Sequence, residues 1–431
     1  MNTGQSVFLE RPAVPAFSAH SCNLMDARPS PFVRSAWLAA ALLFGCGGLS
    51  LIRRGYAERL AASADANDVE HALRLAPENP AFWLRRADLL DRELKSPADA
   101  LRHAAELNPF DADTWIRLGL DAEVRGDYAQ AEAHLLHAAR VSRRYQPRWT
   151  LANYYFRRGS ADEFWKWARL SLDLDPEFAD AVFQLCWRMP VPANEILARA
   201  IPPRRAVWRK YARFLLSQNR INPAGDVLKR MLPDVEPEDR DLLLEASDRF
   251  LAADSVDLAT AAWNGLCGGR AVTCSTVRDS GGMPLDAAES VDVLAHGFAW
   301  HTVNSPGIWS DLHSGAVSVE FSGKEPESAE ILWRWIPVKS GQRGTLRFEY
   351  QSPDFAPASG INWQLLAAGS IAPLASSPWL SNRLWTEVQL PFEVPAGVDL
   401  MRLRLNYARQ PGSVRLQGSL TVRALRIELA P

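Results

Sequence analysis

The sequence predicts an α-then-β chain, an α-solenoid of stacked helical pairs followed by an antiparallel β-sandwich. Three observations predict it. First, one spacing recurs three times in the middle of the chain. From Trp115, offsets of 3, 4, 11, 16, 20 and 23 reach Leu118, Gly119, Gly126, Ala131, Leu135 and Ala138. The same offsets from Trp208 reach Tyr211, Ala212, Asn219, Ala224, Leu228 and Met231, and from Leu243 they reach Ala246, Ser247, Asp254, Ala259, Trp263 and Leu266. Second, apolar residues alternate with period two after about Gly268, the signature of strands. Third, residues 36–52 form an uncharged apolar run ahead of both regions.

Residues 1–34 hold Pro, Ser and Ala without a period and are expected to be disordered. The run at 36–52 is 17 residues long, with Arg34 before it and Arg53-Arg54 after it. That is the lower end of what crosses a bilayer core as a helix, which predicts a transmembrane helix at 35–54. Trp37 and the arginines are its expected interface anchors. The flanking charges are nearly balanced, so orientation rests on an expectation that the C-terminal bulk is periplasmic, with a single pass in a bacterial inner membrane. An alternative is a lipoprotein anchored at Cys46, since Leu43-Phe44-Gly45-Cys46 looks like a lipoprotein cleavage box if translation starts at Met25.

Composition is ordinary for globular protein, with 47% hydrophobic and 23% charged residues. A net charge of −2 gives no whole-chain signal for nucleic acid. Cys22, Cys46, Cys186, Cys267 and Cys274 form neither a disulfide framework nor a zinc pattern. Cys267 and Cys274 are near enough to bridge, and two unpaired small residues at a domain junction is the plainer reading.

The triple spacing, about six units between Tyr56 and Cys267, resembles the tetratricopeptide repeat, a helix–turn–helix unit of 34 residues. Ala131, Ala224 and Ala259 are the small residues that let paired helices approach. Leu-Ala-Pro at 75–77 and Leu-Asn-Pro at 107–109 end helices before a proline. The resemblance covers residues 56–268. It implies a TPR-like solenoid whose inner face is lined by set positions of each first helix, Pro147, Thr150, Tyr154 and Arg157 in one unit and Ala206, Arg209, Arg213 and Leu216 in another. Tyr154, Arg157, Arg158, Arg209 and Arg213 are then the candidates for a partly basic groove holding a protein or peptide partner. A solvated helix face with scattered arginines is the plainer alternative.

In residues 271–431, strands are expected at 316–321, 331–338, 345–350, 361–366, 385–390, 400–407 and 419–428, separated by Gly, Pro, Ser and Asp turn chemistry. Seven strands without helices predict a two-sheet sandwich. The phrases Gly297-Phe298-Ala299-Trp300, Trp385-Thr386-Glu387-Val388 and Leu425-Arg426-Ile427-Glu428-Leu429 resemble the jelly-roll domains of the carbohydrate-binding, galactose-binding-like superfamily. That resemblance implies sugars stacked on aromatic faces. The glycan-binding candidates are Trp309, Trp333, Trp335, Trp363 and Trp379, with core packing the alternative for each. Trp333 and Trp335 should share a face, because alternate strand residues do. Trp300 and Trp385 are expected in the core.

No phosphate-binding glycine loop, G-x-S-x-G elbow or H-E-x-x-H is present. His296, His301 and His313 read as loop or surface histidines. Glu320, Glu325, Glu327 and Glu330 read as a solvated hairpin tip, not a carboxylate pair. No catalytic residue, metal or cofactor is expected. The domain combination resembles bacterial envelope proteins of exopolysaccharide synthesis or export. It implies a non-enzymatic scaffold with a protein partner on the repeats, polysaccharide as a further partner of the sandwich, and the membrane at residues 36–52. A purely structural assembly factor without sugar binding is the alternative, and a degenerate glycoside-active enzyme is a third.

Overall fold

The computed structural model describes residues 31–430 except 175–177, 270–271, 279–281, 286–288, 290 and 314. Of residues 1–34, expected to be disordered, 1–30 lie outside the described residues, and 31–34 instead open the first helix. The Asp175-Pro176 helix end also lies outside the described residues. The chain divides into two compact units, one ending at Ala131 and one beginning at Glu132.

The first unit is helical: α1 (Pro31–Ala61), α2 (Ala66–Leu75), α3 (Pro80–Arg92), α4 (Ala98–Leu107), α5 (Ala112–Val124) and the start of α6 (Tyr128–Val141). Asp65, Asn79 and Asp111 cap α2, α3 and α5, each accepting from the backbone N–H two residues on. The helix-ending prolines have a second use. Trp83 Nε1 donates to the Pro77 carbonyl and Trp115 Nε1 to the Pro109 carbonyl, each at 2.8 Å. Each tryptophan thus ties the start of a helix to the proline that ended the one before. Trp83 and Trp115 also lie against a core of Ala87, Ala100, Leu101, Ala105 and Leu118. Both are packing residues.

The apolar run at 36–52 lies within α1. Among the described residues, no helix is long and apolar enough to cross a membrane. This overturns the expected transmembrane helix and the single-pass inner-membrane placement. The physical reason is twofold. The run stops at 17 residues, short of the roughly 20 a bilayer core asks for, and Gly45, Gly47 and Gly48 dilute it. The helix then continues through Arg53, Arg54, Glu58 and Arg59, and its last turns join protein: Ala57 and Ala61 are buried with Val69, Ala72 and Phe82. Cys46, the alternative anchor point, stands inside the same unbroken helix.

The second unit begins within α6 and continues with α7 (Tyr145–Arg158), α8 (Ala161–Leu174), α9 (Ala179–Cys186), α10 (Ala193–Arg199), α11 (Arg205–Ser217), α12 (Ile221–Met231), α13 (Arg240–Ala252) and α14 (Val256–Gly268). The recurring offsets acquire a physical meaning here. At offset 11, Asn219 and Asp254 have φ of 54° and 55°, the left-handed turn between two helices, and Gly126 in the first unit has 82°. At offset 16, Ala131, Ala224 and Ala259 are fully buried, and at offset 20 so are Leu135, Leu228 and Trp263. The spacing therefore records one turn residue, one close-approach residue and one core residue per pair.

Helix gives way to strand between Gly268 and His301, and the connection is pinned. Cys267 and Cys274 are joined by a disulfide, so the alternative of two unpaired thiols is not the one formed. Trp263 Nε1 donates to the Ser275 carbonyl at 2.9 Å, and the Asn264 amide exchanges two hydrogen bonds with the Val277 backbone. Asp248 accepts from Gly297 N–H at 2.6 Å and meets His296 Nδ1 at 2.7 Å. Gly297 has φ +50°, and a Cβ there would lie 2.6 Å from the Trp263 ring, so only glycine fits.

The sandwich contains ten strands among the described residues: β1 (His301–Thr302), β2 (Ile308–His313), β3 (Ala316–Ser322), β4 (Ser328–Pro337), β5 (Arg343–Gln351), β6 (Ile361–Ala367), β7 (Pro373–Ser376), β8 (Thr386–Glu393), β9 (Leu400–Ala408) and β10 (Gln417–Leu429). They form two five-stranded antiparallel sheets, ordered β1-β4-β9-β6-β7 and β2-β3-β10-β5-β8. The chain is thus a TPR-like α-solenoid followed by an antiparallel β-sandwich, as the sequence predicts. The core between the sheets includes Val319, Leu346, Phe348, Trp363, Leu403, Leu405, Tyr407 and Leu420.

Candidate functional site

The two sheets differ on the faces turned away from the core. On β9, Met401, Leu403, Leu405 and Tyr407 are buried inward, so Arg402, Arg404 and Asn406 point outward. Register then assigns their neighbours. His301 pairs with Trp333, Trp333 with Arg404, Trp335 with Arg402, and Gln364 with Arg404. Directly paired residues share a face. One outward face therefore gathers His301, Trp333, Trp335, Arg402, Arg404 and Gln364, joined by Glu330.

These residues are partly buried and interlocked. Arg402 donates to Glu330 Oε1, and Arg404 reaches Glu330 Oε2 at 3.6 Å and Gln364 Oε1 at 2.9 Å. Gln364 in turn donates to Asn362 Oδ1 at 3.2 Å. Two guanidiniums thus share one carboxylate. Burial lowers the His301 imidazole to about 4, helped by the nearby His296 and Arg402 and opposed by the Gly297 backbone and Asp248. His301 is a neutral ring at neutral pH.

The outward face of the other sheet is an exposed charge ladder. Arg347 bonds Glu428 at 2.8 Å, Arg423 bonds Glu349 at 2.8 Å, and Arg426 bonds Glu428 at 3.1 Å. Such exposed pairs contribute little stability, about 0–1 kcal/mol each.

The five candidate tryptophans separate. Trp363 is completely buried in the core, near Trp300 and Phe348, so it has no face for a sugar. Trp333 stacks on His301 with ring centroids 3.8 Å apart, and the Arg402 guanidinium lies 4.1 Å from its ring. His301 comes from β1 and Arg402 from β9, on opposite sides of β4, so both faces of the Trp333 ring are occupied. Trp335 shares the Trp333 face, as expected, with its ring 5.3 Å from Trp333 and half-buried. Trp379 is 38% exposed, one residue before Leu380, whose N–H donates to the Ile361 carbonyl beside β6. Trp309 is 59% exposed on β2, paired with Glu320 on the second sheet. Trp300 is in the core, but Trp385 is not. It is 41% exposed, with the Arg423 guanidinium 3.8 Å from its ring. Trp385 sits just before an edge strand, where one flank of burial is missing.

The groove candidates separate too. Tyr154 is buried, so it is packing, not lining. Arg209 is committed within the fold. It donates to Glu236 at 2.9 Å and to Asp239 at 3.2 Å, and Arg205 holds the same two acids. Burial works against ionisation of Asp239, but hydrogen bonds from Arg205, the Glu236 backbone and Arg209 outweigh it and lower its pKa. Arg157, Arg158 and Arg213 are exposed.

Among the acids at 320–330, Glu325 is no solvated tip. It is buried and accepts from Leu416 N–H at 2.7 Å and Tyr407 O–H at 3.2 Å. His313 pairs with Asp311 at 2.6 Å in the open. Sequence reading missed Arg402, Arg404 and Gln364. Their signal was Arg-Leu-Arg-Leu at 402–405, where the alternate charged positions of a strand mark its outward face.

No family model matches the chain, and no curated protein matches it. Solved structures resemble parts of it. One described as "CBM4 structure and function" has a TM-score of 0.25 and 8% identity, covering 31% of this chain and 86% of that one. YrrB, described as a TPR protein with an unusual peptide-binding site, has a TM-score of 0.26 and 13% identity, covering 48% of this chain and 93% of its own. PilF of Pseudomonas aeruginosa has a TM-score of 0.26 and 14% identity, covering 52% and 90%.

Proposed function

We propose that this chain is a non-enzymatic scaffold whose helical repeats hold a protein or peptide partner and whose sandwich binds glycan, in the service of exopolysaccharide synthesis or export. The observation that carries the glycan reading is the outward face of the first sheet. Planar hydrogen-bonding groups, the two guanidiniums and the Gln364 and Asn362 amides, are held rigidly around one carboxylate beside Trp335. Sugar hydroxyls pair with such planar groups while a ring face packs on an aromatic side chain. Stacked helix pairs, for their part, present extended surfaces that suit a protein partner.

The test is glycan-array binding by the full chain, compared with Trp335→Ala and Arg404→Ala. Binding that either variant abolishes supports the reading, and wild-type binding by both refutes the site. A second reading, an assembly factor that binds no sugar, is favoured by one observation: Trp333, the most central tryptophan of that face, has both ring faces filled. An array with no bound glycan would select it.

A further inference from the structure

A basic, aromatic patch lies elsewhere in the second unit. Residues 133–161 contain six arginines and no Asp or Glu, in a chain of net charge −2. Four of the arginines, Arg140, Arg143, Arg144 and Arg148, cluster around the turn between α6 and α7. Beside that turn is a cleft of about 390 Å³ lined by Arg143, Arg144, Tyr145, Gln146, Leu174 and Phe178. Its floor is aromatic. The Tyr145 ring lies 5.4 Å from Phe178 and 6.2 Å from Trp149, and Phe178 is 57% exposed.

The arginines divide the labour. Arg148 folds back to donate to the Ser142 and Arg144 carbonyls at 2.8 and 2.9 Å, which fixes the turn. Its pKa is lowered by burial and by the positive charge of Arg143. Arg143 and Arg144 are exposed and take part in no ion pair among the described residues. Asp173, on the neighbouring α8, is already held by Arg204 at 3.4 Å. Like charges are thus kept close around an exposed aromatic floor, an arrangement that an incoming anion relieves.

We propose that this cleft docks an acidic, aromatic-bearing peptide segment of a protein partner. The size favours a peptide: the cleft takes one or two side chains, whereas a nucleic acid strand needs a track of phosphate contacts. Two guanidiniums at its rim suit carboxylates, which accept their paired N–H groups side by side. The inference rests on the reading that the repeats hold a protein, and it moves the contact from the expected groove to the α6–α7 turn.

The probe is a fluorescein-labelled random copolymer of glutamate and tyrosine, titrated with the full chain and followed by anisotropy. Polyglutamate, alginate and a single-stranded thymidylate oligomer serve as competitors. The copolymer should bind more tightly than polyglutamate. Arg143→Glu/Arg144→Glu should weaken it about tenfold or more, and Phe178→Ser should weaken it while leaving polyglutamate unaffected. These side chains are exposed, so the thermal transition of both variants should match the wild type. Undiminished copolymer binding by both variants overturns the cleft but leaves the scaffold reading standing. Equal competition by alginate or the oligomer overturns the peptide chemistry, as does failure of the wild-type chain to bind the copolymer.

Discussion

Replacing Asp239 with alanine should loosen the later repeats without touching any exposed face. Its side chain is 1% exposed and receives hydrogen bonds from Arg205 and Arg209, whose side chains are 15% and 20% exposed. Its Oδ2 also accepts from Glu236 N–H at 2.9 Å, closing a capping box ahead of α13. Removing one member of a fully buried pair costs 3–5 kcal/mol. The arginines keep some water and Glu236 remains as a partial substitute, so about 3 kcal/mol is expected here. For a unit of this size that lowers the midpoint of thermal unfolding by roughly 6 °C. Differential scanning calorimetry on the full chain should show the later transition moving down. Because the folded pKa of Asp239 is lowered, its contribution is full above the unfolded value of about 4 and is lost as pH falls through the folded one. The gap between wild type and Asp239→Ala should therefore close on acidification below about pH 4. A midpoint shift under ~1 °C at neutral pH, or a gap that widens in acid, would refute the clamp.

Three further outcomes follow from the same geometry. Gly297→Ala should destabilise by about 2 kcal/mol or more, through its left-handed backbone and the clash with Trp263, and urea denaturation read by tryptophan fluorescence should show it. On β4, Arg334 is fully buried and donates to Glu289 Oε1 at 3.1 Å; Glu289→Gln should leave that guanidinium without its anion and cost about 3 kcal/mol, whereas Arg334→Met with Glu289→Gln together should recover part of the loss, as a double-mutant cycle would reveal. His301 should remain neutral until about pH 4, so its imidazole NMR signals should not move between pH 7 and about 5; since the unfolded ring titrates at about 6.5, stability should decline as pH falls between those two values.

The fold was legible because its signals are local. The offsets of 11, 16 and 20 mark a turn conformation, a close approach and a core residue, and all three follow from residue type. Seven strands were readable from alternation. The three that were not, β1, β7 and β2, are all at sheet edges, where one neighbour is missing and the burial pattern weakens. The 36–52 run misled because hydropathy does not reveal that the helix carrying it ends among packed alanines. The site was less legible, since it depends on which residues face each other across strands. Trp333 and Trp363 have the composition of sugar platforms, but register fills both faces of one and buries the other. Arg209 belongs to the right helix position for a groove, yet Asp239, thirty residues on, claims it.

The pinned connection after α14 limits how this sandwich can travel. Asp248 and Trp263 lie on the last helical pair, and each meets the segment that leads into β1: one grips His296 and Gly297, and the other packs edge-on against Phe298 with ring centroids 6.0 Å apart. A gene fusion that transplants only the strands would leave Phe298 bare and Gly297 without its anchor. A transplant that keeps these contacts carries the sandwich together with its final helix pair.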